Sequence, residues 1–130
     1  MWHLDTNIAI ACLNGHTAAT AQIDLCLPEV FISSLVLAEL LYGARASARA
    51  SQNLERVTEF VQVVSVVNFD QASADAYSRL RYSLRQKGRP TSDMDMLIAA
   101  VALANDAVLV THNIKHFEYI EDLRLEDWLA

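Results

Sequence analysis

Glycine, proline and cysteine are scarce in this chain, at 3, 2 and 2 among 130 residues. So few turn-formers leave little room for long irregular linkers, and the connections between elements must be short. Cys12 and Cys26 fit neither a zinc-ligand spacing nor a disulfide framework. Each lies in an apolar, helix-compatible stretch and reads as a reduced core residue of a cytoplasmic protein. No apolar run approaches the roughly 20 residues a membrane span needs, and no basic-then-apolar signal segment opens the chain. Basic residues are outnumbered by acids, 10 against 16, for a net charge of −6. That balance works against indiscriminate nucleic-acid binding, which favours a basic surface. Internal repeats and low-complexity segments are also missing.

What is present is apolar mass: 53% of the residues are hydrophobic. A chain of this size buries about two thirds of its unfolded surface, so it can hold together without disulfides or a structural metal. The expectation is one domain covering residues 1–130. Short apolar runs alternate with helical patterns along its length. Runs ending at Leu4, at Val30–Ile32, at Val63–Val67 and at Val108–Val110 read as buried strands, and Leu123–Trp128, centred on Leu125, as an edge strand. Between them lie helices over about Ile8–Leu13, Thr17–Leu25, Leu35–Ala46, Ala48–Gln62, Gln71–Gln86 and Ser92–Ala104, with a short turn of helix at Ile114–Tyr119. Asp70 and Ser33-Ser34 are placed as N-caps. Lys87-Gly88-Arg89-Pro90 ends the longest helix, since glycine can take the left-handed cap and proline blocks continuation. Alternation of this kind predicts an α/β fold: a short parallel sheet of 4–5 strands between two layers of helices. The β-branched, non-alternating run Val63–Val67 predicts a strand buried on both faces.

Three acids stand in settings unlike those of surface acids. Asp5 ends the first strand, where open α/β sheets bind ligands. Glu39 lies among Leu35, Val36, Leu40 and Tyr42, and Asp95 begins the apolar helix Met94–Ala100. A buried unpaired carboxylate is costly, and grouped carboxylates repel; a divalent cation resolves both problems. Oxygen-only ligands suit Mg²⁺ or Mn²⁺ better than zinc. Each acid also has a simpler reading. Asp5 can cap the helix that follows, Glu39 can snorkel at a helix edge or pair with an arginine, and Ser92-Asp93-Met94-Asp95 has the form of a capping box. Residue pattern alone leaves these alternatives open.

Four segments, in order, narrow the choice: Asp5-Thr6-Asn7; Ile32-Ser-Ser-Leu-Val-Leu-Ala-Glu39-Leu-Leu-Tyr-Gly-Ala44; Gly88-Arg-Pro90 followed by Met94–Ala100; and Leu109-Val-Thr-His-Asn113 followed by Phe117. Together they resemble a PIN-domain protein, in particular the VapC toxins of bacterial toxin–antitoxin pairs, over essentially the whole chain. The resemblance implies a Mg²⁺-dependent endoribonuclease (Mn²⁺ substituting) that hydrolyses RNA phosphodiester bonds to a 5′-phosphate and a 3′-hydroxyl. It implies Asp5 and Asp95 as metal ligands, and Glu39 as the group that holds a metal-bound water or accepts its proton. Thr6, Asn7, Thr111 and Asn113 support the site. A cognate antitoxin and a homodimer are the implied partners. One departure stands out: where relatives often carry a fourth acid, this chain has Asn113 and His116, which favours one metal over two. His112 and His116 otherwise read as exposed polar residues.

Two rivals belong to other classes. A haloacid-dehalogenase-like phosphatase or phospho-acceptor would use Asp5 as nucleophile, but its second acid, two residues on, is here Asn7. A non-catalytic PIN-like binding module would follow from loss of the fourth acid. An RNA reading also needs positive charge beside the acids. The densest source runs from Arg79 to Arg89. Asp75 is set to occupy Arg79, leaving Arg81, Arg85, Lys87 and Arg89 for the RNA, with Arg45 and Arg49 as the alternative path.

Overall fold

A computed structural model describes residues 1–89 and 91–130; Pro90, expected to close the longest helix, lies outside the described residues. The elements follow in the order β1 (Trp2–Leu4), α1 (Thr6–Leu13), α2 (Thr17–Cys26), β2 (Val30–Ser33), α3 (Ser34–Arg45), α4 (Ala50–Val63), β3 (Ser65–Val67), α5 (Gln71–Gln86), α6 (Asp93–Ala104), β4 (Val108–Val110), α7 (Ile114–Phe117) and β5 (Leu125–Glu126).

All strand pairs are parallel, in the order β3-β2-β1-β4-β5. The chain walks outward from β1 through β2 to β3, then crosses back to β4 on β1's other side. Right-handed crossovers therefore put α1–α4 on one face and α5–α7 on the other. Helix contacts agree: α1 packs on α2, α3 and α4, while α5 packs on α6 and α6 on α7. The result is a three-layer α/β/α fold. Because strand order reverses at β1, the crevice between the carboxyl ends of β1 and β4 is the topological switch point, where such sheets bind ligands.

Side chains alternate across the sheet. Leu4, Val30, Ile32 and Val110 are buried in one large core with Ile8, Val36, Leu40 and Val57. On the opposite face Phe31 packs with Val101 and Ala107, and His3 stacks on Phe31 with ring centroids 4.8 Å apart. α5 buries Leu80 and Leu84, and its Asp70 cap accepts the Ser73 N–H at 2.9 Å. Its last turn closes at Gly88, φ 64°, in the left-handed region open to glycine.

One expectation fails. The strand over Val63–Val67 is not buried on both faces: Val63 still belongs to α4, only Ser65–Val67 pair, and Ser65 and Val66 are exposed. β3 is an edge strand with a partner on one side, so its β-branched content reflects strand propensity rather than double burial. Val64 alone of that run is deeply buried, at the end of α4.

Candidate active site

Asp5 sits at the carboxyl end of β1 and is nearly inaccessible, at 6%. Its backbone N–H bonds the Val110 carbonyl (3.0 Å), stitching it to β4. Its Oδ1 accepts the Ile8 N–H at 2.9 Å, so it caps α1. The cap and the ligand-binding position are therefore the same residue. Burial pushes the Asp5 carboxyl above its ordinary range and the charge of Asp95 adds to the rise, while donors from Thr111, Ile8 and Asn7 pull it down. Two carboxylates from distant parts of the chain thus act on each other at the switch point.

Asp95 is the third residue of α6. Ser92 Oγ accepts its N–H at 3.2 Å, which is half of a capping box. The other half, a bond from the Asp95 carboxylate back to Ser92, is not found among the described residues. The Asp95 Oδ2 lies instead 3.5 Å from His116 Nδ1. Capping uses the backbone of Asp95 and leaves its carboxylate free to face the crevice. Asp93, two residues earlier, lines a different groove.

Glu39 is half-buried on α3 and accepts a hydrogen bond from Thr6 Oγ1, the residue beside Asp5. α3 and α6 touch, bringing the Glu39 and Asp95 helices together. Thr111 is fully buried at the end of β4, where its Oγ1 accepts the Asn113 N–H (3.0 Å) and shapes the turn. Asn113 precedes α7 without a side-chain cap bond, and Asn7 is exposed. His112 turns away, to Asp127 at 3.0 Å. Among the described residues, no three His, Cys, Asp or Glu side chains gather tightly enough to make a ready-built metal cage. The donor set at the crevice is two carboxylates, and Mg²⁺, which keeps several waters and uses one or two carboxylates, matches a set that small.

Positive charge borders the Asp95 side. Gly88, Arg89, Thr91, Ser92, Asp95, Lys115, His116 and Tyr119 line a groove of about 370 Å³. Arg81, Arg85 and Arg89 share an adjoining one of about 550 Å³ with Thr91 and Asp93. Arg79 is held by Asp75 at 2.8 Å, as expected. Lys87 departs from expectation: Glu121 pairs with it at 2.8 Å, and its Nζ also reaches the Tyr119 carbonyl at 3.4 Å. Acids near the C-terminus answered a lysine counted as free. Sequence reading missed Lys115 and Tyr119, whose signal was their place just after the carboxyl end of β4. On the Glu39 side the crevice opens into a mostly apolar groove of about 230 Å³ lined by Ile10, Leu13, Gly43, Arg56 and Val57.

A parallel sheet between two helical layers, with paired carboxylates at its switch point and cations alongside, defines an α/β/α protein with an acidic, cation-ready site. Comparison narrows the class. The PIN domain model matches residues 3–122. Ribonuclease VapC2 of Rickettsia felis is 37% identical, with 98% of each chain covered. The tRNA(fMet)-specific endonuclease VapC of Shigella flexneri is 36% identical, with 96% of each covered. The solved structure of VapBC2 from Rickettsia felis, bound to a DNA fragment from their promoter, superposes with a TM-score of 0.92 over 98% of both chains. The chain belongs to the PIN domain family, in its VapC branch.

Proposed function

We propose that this chain is a Mg²⁺-dependent endoribonuclease acting as the toxin of a toxin–antitoxin pair, with Mn²⁺ able to substitute. The observation that carries the reading is Asp5: a buried carboxylate at the β1/β4 switch point, its pKa raised by burial and by Asp95. Keeping such a group in place costs stability unless a cation uses it. The ribonuclease and endonuclease names of the relatives supply the chemistry.

In this reading Asp5 and Asp95 hold the ion. A bound divalent ion would supply positive charge against phosphate oxygens and ease the deprotonation of the attacking water. The capping bond from Ile8 and the donors around Asp5 fix its carboxylate before the ion arrives. Glu39 accepts the proton of the attacking water on the oxygen that Thr6 leaves free. Water adds to phosphorus and the P–O3′ bond breaks; the leaving O3′ takes a proton from solvent, so the products carry a 5′-phosphate and a 3′-hydroxyl. Arg81, Arg85, Arg89 and Lys115 hold flanking phosphates; Lys87, tied to Glu121, does not. The partner in cells is a cognate antitoxin, as VapBC complexes among the solved relatives suggest. The same reading has the whole chain as one domain that resides in the cytoplasm and forms a homodimer.

The test is cleavage of single-stranded RNA by purified protein. Cutting is expected in Mg²⁺, to cease in EDTA, and to return with Mg²⁺ or Mn²⁺. Asp5→Asn is expected to abolish it with an unchanged circular dichroism spectrum and a melting temperature equal or higher, because a strained charge is gone. Undiminished cutting by Asp5→Asn, or in EDTA, would overturn the reading.

A further inference from the structure

We propose that Tyr119, with the Arg89 guanidinium laid over its ring, is a stacking platform for one nucleobase of single-stranded RNA at the Asp95 end of the crevice; this rests on the ribonuclease reading above. Tyr119 follows α7 and remains 42% exposed, while its neighbours Phe117 and Ile120 turn inward to the core. The core thus holds this segment by residues on either side of Tyr119. Arg89 Cζ stands over the ring, 4.1 Å from its centroid, well inside cation–π range.

The pair is built in by more than this one contact. Lys87 reaches both the Glu121 carboxylate and the Tyr119 carbonyl, clamping the end of α5 onto the segment after α7. Arg89 and Tyr119 are therefore presented by two segments already fastened together. Position then supplies the ligand class. One concavity contains an aromatic face, a guanidinium plane, the Lys115 ammonium and the Asp95 carboxylate. This groove is a path open to a base neighbouring a phosphate held at Asp95. Bases stack on aromatic rings and on arginine planes without regard to sequence, because every base has a π-face. Lys115 answers the phosphate that travels with the base. Tyr42 and Tyr82 are more exposed, at 74% and 65%, but neither lines this groove. Exposure alone does not select Tyr119; its stack and its neighbours do.

The experiment uses decaribonucleotides of uridine with a single 2-aminopurine, moved one position at a time, mixed with the full-length Asp5→Asn protein in Mg²⁺. At one position, binding is expected to quench the aminopurine fluorescence. Tyr119→Ala and Tyr119→Leu are expected to remove that quenching and weaken affinity roughly 5- to 100-fold, the range for one lost base stack. The leucine keeps apolar bulk without a π-face, and Tyr119→Phe should restore both signals. Circular dichroism verifies that each variant is folded. RNA that binds Tyr119→Ala as tightly as the unsubstituted ring, with the same quenching, would overturn the platform and leave the ribonuclease reading standing. RNA that binds none of the proteins would overturn the platform, while the ribonuclease reading stands or falls on the cleavage assay above.

Discussion

His3 is one of five polar or charged side chains buried among the described residues. It is fully buried, two residues before Asp5. Its Nε2 accepts the Ser33 N–H at 3.1 Å, and Ser33 is the N-cap of the Glu39 helix. Accepting there requires the proton to sit on Nδ1. That atom finds no hydrogen-bond partner among the described residues, while the Ile98 backbone of α6 lies close enough to raise the ring's pKa against the effect of burial. The ring therefore touches the strand of Asp5, the cap of the Glu39 helix and the helix of Asp95. Burial drives its pKa from 6.5 down to about 3. The sign follows from linkage: the unfolded chain protonates first, so this contribution is intact above pH 6.5 and drains away between there and about pH 3. The loss is on the order of 5 kcal/mol at about 1.36 kcal/mol per unit. Asp5 has the opposite sign, since its raised native pKa means the folded state gains as pH falls through it. Urea denaturation from pH 7 to pH 4 should show stability falling in the unsubstituted chain. The fall should be shallower in His3→Gln, whose amide oxygen can still accept from Ser33. Equal slopes in the two proteins would show that His3 does not carry the acid sensitivity.

At the scale of elements, Ser92 and Asp95 separate two jobs that one motif had merged. The Ser92 hydroxyl caps α6 through the Asp95 backbone, while the Asp95 carboxylate faces His116 and Asp5. Ser92→Ala should lower stability by about 1 kcal/mol, the usual worth of such a cap. Asp95→Asn should lose cleavage with little change in melting temperature, because its N–H still meets Ser92. Thermal melts and RNA cleavage on the two proteins decide it; a large melting loss in Asp95→Asn would return the carboxylate to a structural role. The motif was legible in the sequence because caps depend on local spacing. The same holds for α5, whose Asp70 cap, Asp75–Arg79 pair and Leu80–Leu84 stripe were all readable from neighbours within one turn. β3 was misread for the converse reason. Whether a valine-rich run is central or at an edge depends on which way the crossovers turn, a property of the whole sheet; Ser65 in its middle was the sole local hint. The Lys87–Glu121 pair was hidden for the same reason, since Glu121 lies 34 positions further along the chain.

Over the whole molecule, charge is sorted rather than balanced. A net −6 coexists with a face where Arg81, Arg85, Arg89 and Lys115 border the Asp95 end of the crevice. Along this face approaching RNA meets counter-charge. If those four side chains each take a phosphate, affinity for single-stranded RNA should fall with salt at a log–log slope near −3, from about 0.7 released counterions per contact. Replacing Arg81 and Arg85 together by Ala should flatten that slope by about one to one and a half units. Lys87→Ala should change it by less than about half a unit, because the Glu121 carboxylate, and not phosphate, holds that ammonium. Titrations of Asp5→Asn with RNA over a range of salt, at constant Mg²⁺, measure all three. The lysine is the informative control. A loss as large as that of an arginine would mean that RNA displaces Glu121, and that the clamp between α5 and the segment after α7 opens on binding. An unchanged slope in the double arginine variant would move the RNA path to the exposed Arg45 and Arg49, between α3 and α4.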